Sequence, residues 1–419
     1  MSAETPGAAD KPPAPDRRRA PRAKVDLGGD LTDAVLQGLP DRHVIAHPEL
    51  FERRPRIGVV LGAGGVLGNA YLSGVMAALH AVTGFEPRTA TALVGTSAGS
   101  VHAALYGAGM PALFGLWRTR GGRLPEAFTF RPADADPGDD EHVDHGEDAT
   151  LREIFTPARA LPKLGPSSKS LAARALVRPW RYRPEVVLSA WLPEGVLTNA
   201  AIGRALRGVV PAGWVHHPRT WITAVNLRTG EREVFGRPGS QRAHLDRAVR
   251  ASCAIPGLYR PVRIGRERYV DGGIHSPSNA DVLTGMDLDL VLVVNPMSSL
   301  EGHAASGFVD RYLYPLRRMA GRRLDAELRA LREDGTPTLV LQPTARDLAV
   351  FSRNLMDPRP RSAVAERAVE TTLDLLRDRA HQPALDLLRL AARSRRLRPA
   401  ANAAARSAQA AAQYPRSRP

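Results

Sequence analysis

The chain is 419 residues long, 43% hydrophobic, and carries a formal net charge of +15. This length and apolar content exclude a mainly disordered chain or a small disulfide-held scaffold, and leave room for one large or two ordinary domains. The single cysteine, Cys253, builds no disulfide framework and suits a reducing, cytoplasmic compartment, while the basic balance favours anionic partners such as a membrane surface met peripherally.

The opening residues, MSAETPGAADKPPAPDRRRAPRAK, have no apolar core and are not expected to act as a secretory signal. No uninterrupted apolar run approaches the roughly 18 residues of a membrane span. Residues 1–50 read as a disordered or loosely attached arm. An α/β domain is expected over 51–345, and a helical, basic extension over 346–419.

Within the domain, IGVVL reads as a buried strand and LGNAYLSGVMAALHAV as a helix. TALVGT and AGSVHAALYGAG repeat the pair. Strand–helix–strand–helix predicts a mainly parallel sheet between helical layers, a three-layer α/β/α fold. Residues 131–148 form an acidic loop insertion. Its His142 and His145 have no further spaced ligand pair nearby, so no metal site is expected.

Residues 150–215 read as mostly helical and basic: a lid, a patch that meets a membrane, or a solvated helix packed on the sheet. TWITAVNLRTGEREVFG reads as two strands joined by a turn, and LDRAVRASCAI as a helix ending before Pro256. ERYVDGGIHS is a short strand entering an Asp-Gly-Gly turn. DLDLVLVVNP and TPTLVLQP are further buried strands, with a charged helix over Tyr312–Glu333 between them.

Two glycine-rich turns hold the chemistry. The first, LGAGGVLG, fails the dinucleotide pattern G-x-G-x-x-G in both registers. Counted from Gly62 the third glycine is Leu67, and counted to Gly68 the first is Ala63. No Gly-Lys-Ser/Thr follows, which excludes a phosphate-binding Walker loop. The second turn, Gly95-Thr96-Ser97-Ala98-Gly99, is a G-x-S-x-G between a strand and a helix, the context of a nucleophile elbow. Small residues at Gly95 and Gly99 let strand and helix pass closely. Loops after successive parallel strands open on one sheet edge, so the first turn's amides can lie beside Ser97.

A serine nucleophile needs a base. Asp271 follows a short strand, and Gly272 and Gly273 leave its carboxylate unobstructed. His275, four residues on, is the one histidine that could complete a triad.

The order glycine loop, GTSAG, DGG resembles the patatin-like phospholipases, over about Ile57 to Pro343. ASCAIPGLYRPV and SPSNADVL, on either side of the DGG, also look like that family. The resemblance implies a Ser97–Asp271 dyad with Ser97 as nucleophile and Asp271 as base. It implies an oxyanion hole from the amides of Gly64, Gly65, Val66 and Leu67, a lipid ester substrate, most plausibly a phospholipid, and no cofactor. Two positions depart from the family pattern: Ala63 replaces the first glycine of the run, and Leu67 stands where many members have Arg or Lys. The rival readings are a non-catalytic membrane- or anion-binding protein that keeps the fold, and nucleic-acid binding by the basic arms. The latter has no reading motif and only 5% aromatic residues behind it.

Overall fold

The structure is a computed structural model, and it describes residues 54–121, 155–158, 165–210, 213–298 and 308–393. The arm expected over 1–50, the acidic insertion with His142 and His145, and the end of the tail beyond residue 393 lie outside the described residues.

Eight strands form one sheet: β1 Ile57–Leu61, β2 Ala92–Thr96, β3 Thr220–Asn226, β4 Arg232–Phe235, β5 Val262–Ile264, β6 Glu267–Asp271, β7 Leu290–Val294 and β8 Thr338–Leu341. Their order is β5-β6-β3-β2-β1-β7-β8, with β4 also paired to β3. From β8 across to β3 the pairing is parallel, and β4, β5 and β6 are antiparallel additions. All five residues of β1, β2 and β7 are buried. Covered on both faces, such strands need no polar alternation, which is why they read as continuous apolar runs.

The two faces sort by strand parity. Ile57, Val59, Leu61, Leu290, Leu292 and Val294 join one core cluster, while Val60, Val291 and Val293 join the other. The first cluster is covered by α1 Gly65–Thr83, α2 Ala98–Gly107 and, far downstream, α10 Arg361–Leu375. The second is covered by Leu324 and Leu331 of α8 Phe308–Glu333. Between these lie α3 Phe114–Thr119, α4 Lys169–Val177, α5 Pro184–Trp191, α6 Ala200–Val209, α7 Leu245–Ser252 and the short α9 Ala345–Leu348. The result is the expected helix–sheet–helix sandwich.

Helix α1 is apolar and long enough to cross a membrane by length and composition, but 72% of its 18-residue apolar window is buried, as in a core helix. α10 packs tightly against it: a Cβ on Gly74 would meet the Ala365 carbonyl oxygen at 2.3 Å. Val364, Ala365 and Ala368 of α10, within the stretch expected as an extension, share one cluster with Leu72 and Met76 of α1. Strand β5 was not expected. It is three residues long and exists as a hairpin with β6, turning through Gly265 at φ 59°.

One feature of β3 positions the site. Leu93 donates its amide to the Arg219 carbonyl, and Leu227 donates its amide to the Arg268 carbonyl. Backbone polar groups alternate between the two edges of a strand, so Arg219 and Leu227, an even number of residues apart, face the same edge. Asn226 donates to the Glu231 carbonyl on the other edge, where β4 lies. β2 and β6 therefore share one edge of β3, end to end. The last pair of β2 is Thr96 with Thr223, and the last pair of β6 is Asp271 with Ala224.

Candidate active site

Where those two strand ends meet, Ser97 faces Asp271. The Ser97 hydroxyl donates to Asp271 Oδ2 at 2.7 Å, and each residue is 5% exposed. Ser97 leaves β2 at φ 51°, a left-handed conformation that a residue with a Cβ adopts under strain. The turn is closed by its neighbours. A Cβ on Gly95 would meet Ser100 Cα at 2.5 Å, and one on Gly99 would meet the Leu61 carbonyl oxygen at 1.9 Å. Both small positions of the elbow are thus required by the backbones they touch.

The end of α7 braces the same turn. Ser252 Oγ accepts the Ser97 amide at 2.8 Å, and Cys253 Sγ donates to the Ser97 carbonyl at 3.3 Å. Ser252 and Cys253 carry no motif of their own. The only trace in the sequence is their place in the ASCAIPG run ahead of the DGG.

Asp271 is held by two donors. Besides the Ser97 hydroxyl, the Gly273 amide donates to Oδ1 at 2.7 Å. Burial pushes its carboxyl up to about 7, and the bonds from Gly273 and Ser97 pull it back only in part. Gly272 passes so close to β3 that a Cβ there would meet the Thr223 carbonyl oxygen at 2.5 Å. A Cβ on Gly273 would lie 3.3 Å from that of Ala63, so the Asp-Gly-Gly turn abuts the first glycine loop. Beneath the pair, buried Asn279 sits at φ 55° and donates from Nδ2 to Thr96 Oγ1 at 3.1 Å and Thr223 Oγ1 at 3.3 Å. That tie joins the ends of β2 and β3. A residue whose role is to link two distant threonines gives no periodic or spacing signal.

The glycine loop divides by what its amides do. Gly62 donates to the Val294 carbonyl and Ala63 to the Pro277 carbonyl, each at 2.8 Å. Gly68 donates to the Gly64 carbonyl inside the helix. The amides of Gly64, Gly65 and Val66 have no acceptor among the described residues, and no side chain caps the helix start. Three free N–H groups at the N-terminus of a 19-residue helix make an anion cradle. Leu67 does not belong to it. Its amide donates to the Leu355 carbonyl at 3.0 Å, and its side chain is fully buried in the core. The expectation of a fourth oxyanion donor at Leu67 is corrected by this bond, which only a segment far downstream could supply.

His275 does not stand between Ser97 and Asp271. Its carbonyl accepts from Arg183, and burial together with Arg232 pushes its imidazole down to about 3. His102, in α2, contacts the Asn69 carbonyl and Tyr106, and burial lowers it to about 4. Neither histidine is within the hydrogen bonds of the serine.

A family model described as patatin-like phospholipase matches residues 59–284, more than half of the chain. Uncharacterised NTE family proteins of Mycobacterium tuberculosis and Mycobacterium bovis are each 31% identical over 137 residues. That stretch is 33% of this chain and 35% of each relative's length. Among solved structures, the chain is similar to VipD from Legionella pneumophila, with 17% identity and a TM-score of 0.32 over 77% of this chain and 67% of that one.

Proposed function

We propose, from the premise that the chain belongs to the patatin-like phospholipase family, that it is a serine-dependent lipid acyl hydrolase working through Ser97 and Asp271. The observation that carries this reading is the 2.7 Å bond from the Ser97 hydroxyl to a buried carboxylate, formed at a strained elbow. A carboxyl held near neutrality has the basicity to take that proton at ordinary pH.

Asp271 accepts the proton as Ser97 Oγ attacks the ester carbonyl. The developing oxyanion takes the free amides of Gly64, Gly65 and Val66 and the positive end of the α1 dipole. The tetrahedral adduct collapses, and the departing alkoxide receives the proton from Asp271. Water then gives a proton to Asp271 and attacks the acyl-serine. The second adduct releases the carboxylic acid and restores the Ser97 hydroxyl. Phospholipids are the substrate class that family membership favours.

The experiment is labelling of the full chain with a fluorophosphonate, alongside fatty-acid release from a panel of phospholipids. Ser97 takes the label, Ser97→Ala does not, and fatty-acid release falls by a factor on the order of 10⁶ in that variant. A chain that takes no label at Ser97 and releases no fatty acid is a binding protein on the same fold, and the hydrolase reading falls.

The glycine loop gives a second expectation. Gly65 sits at φ 63°, and a Cβ there would meet the Leu355 carbonyl oxygen and Met356 Sδ at 3.0 Å. Gly65→Ala shifts the loop and misaims its amides, so kcat falls by about 10²–10³-fold. The same variant keeps its core, which steady-state kinetics read beside a thermal melt will separate.

A further inference from the structure

We infer that the turn joining α4 to α5 is a docking surface for an anionic lipid bilayer. Leu176, Val177 and Trp180 are 69%, 72% and 81% exposed, within six residues of one another in sequence. Isolated exposed apolar residues are ordinary, but three within five positions, two at the end of α4 and a tryptophan in the turn after it, are not. They are interleaved with exposed Arg178 and Arg181, which pair with no carboxylate among the described residues.

The chemistry of the stretch selects the partner. From Lys169 to Pro184 there are five cations and no acid. A second copy of the same face would set like charge against like in a two-fold contact. A nucleic acid would meet the arginines but leave Leu176 and Val177 without an apolar partner. A bilayer with anionic headgroups satisfies both: arginines at the phosphate level, with Trp180, Leu176 and Val177 in the interface beneath.

The turn is rooted beside the catalytic pair. Leu171 and Ala172 of α4 and Val186 and Ala190 of α5 form one cluster with Val225, Leu227 and Val270 of β3 and β6, and Ile274 packs against it. Ser168 donates to the Leu227 carbonyl at 2.5 Å, and Arg183 donates to the His275 carbonyl. The turn is thus anchored to β6, the strand that ends in Asp271.

The inference goes beyond the hydrolase reading, and binding can be read without turnover. The test uses the full chain carrying Ser97→Ala, floated with vesicles of phosphatidylcholine alone or of equimolar phosphatidylcholine and phosphatidylglycerol. Strong flotation with the anionic vesicles is expected, weakened by salt. Adding Trp180→Ala and Leu176→Ser lowers binding at least tenfold, about the effect of 1.4 kcal/mol. Adding Arg178→Glu and Arg181→Glu abolishes the preference for phosphatidylglycerol. All four side chains are exposed, so folding is preserved, and circular dichroism checks it. The inference is overturned if the parent chain binds neither vesicle, if the variants float like the parent because binding belongs to the basic ends, or if Trp180→Ala only dissolves a self-associated species.

Discussion

Replacing Asp271 with Asn lowers kcat/KM on acyl esters by about 10²–10⁴-fold, the share a positioned general base supplies. The substitution is nearly isosteric. An Asn Oδ1 keeps the bond from the Gly273 amide, while its amide group faces Ser97 Oγ and cannot take a proton. The loss is therefore chemical, and a thermal melt of the variant stays near that of the wild type. The pH profile adds a second signature. In the proposed mechanism Asp271 works as the carboxylate, and burial holds its folded value up at about 7. Below that value the carboxylate fraction shrinks about tenfold per pH unit, so wild-type kcat/KM falls in step and levels off above it. The profile disappears with Asp271→Asn but survives His275→Ala, because His275 is already neutral above about 3 and bonds to neither member of the pair. A profile that followed His275 instead would end the dyad reading.

Among the described glycines, Gly99→Ala is expected to be the most destructive added methyl. Its Cβ would lie 1.9 Å from the Leu61 carbonyl oxygen and 2.3 Å from the Leu61 carbonyl carbon. Both are backbone atoms of the central strand, so no rotamer change relieves the clash. Either β1 or the start of α2 must move, and the 3.1 Å bond from the Gly99 amide to the Gly62 carbonyl moves with it. Overpacking of this kind costs about 3 kcal/mol or more, and in a domain of this size that lowers Tm by about 6–12 °C. Gly208 is the contrast. A Cβ there meets nothing within 4 Å, so Gly208→Ala raises stability by about 0.5–1 kcal/mol. Differential scanning calorimetry of the two variants reads both signs in one experiment; a Gly99→Ala protein that melts with the wild type contradicts the packing argument.

The parts of the fold that repeat a local pattern were legible in the sequence. The strands of the parallel core announce themselves because burial on both faces leaves an unbroken apolar run. The elbow and Asp271 were legible because each needs small neighbours, and glycine in a fixed frame is easy to see. What stayed hidden depends on residues that meet only after folding. β5 is too short to show a period and exists because β6 pairs with it. Ser252, Cys253 and Asn279 act on Ser97 and Thr96 through single long-range hydrogen bonds. The Leu67 amide looks available in the sequence, and only the Leu355 carbonyl arriving from beyond β8 takes it. The seat of α10 on α1 was hidden for the same reason: charge dominates the composition of that stretch, while four small or branched residues on one side of α10 do the packing.

The shared edge of β3 also sets a clock. Ser97 and its carboxylate are 174 residues apart in the chain, and they meet only when β6 occupies the edge that β2 leaves open. At a synthesis rate of about 5–20 residues per second, the serine leaves the ribosome about 9–35 s before its partner. A nascent chain throughout that interval has an elbow with nothing to accept its proton. A chain cut short anywhere ahead of Asp271 never gains the carboxylate that the Ser97 hydroxyl bonds.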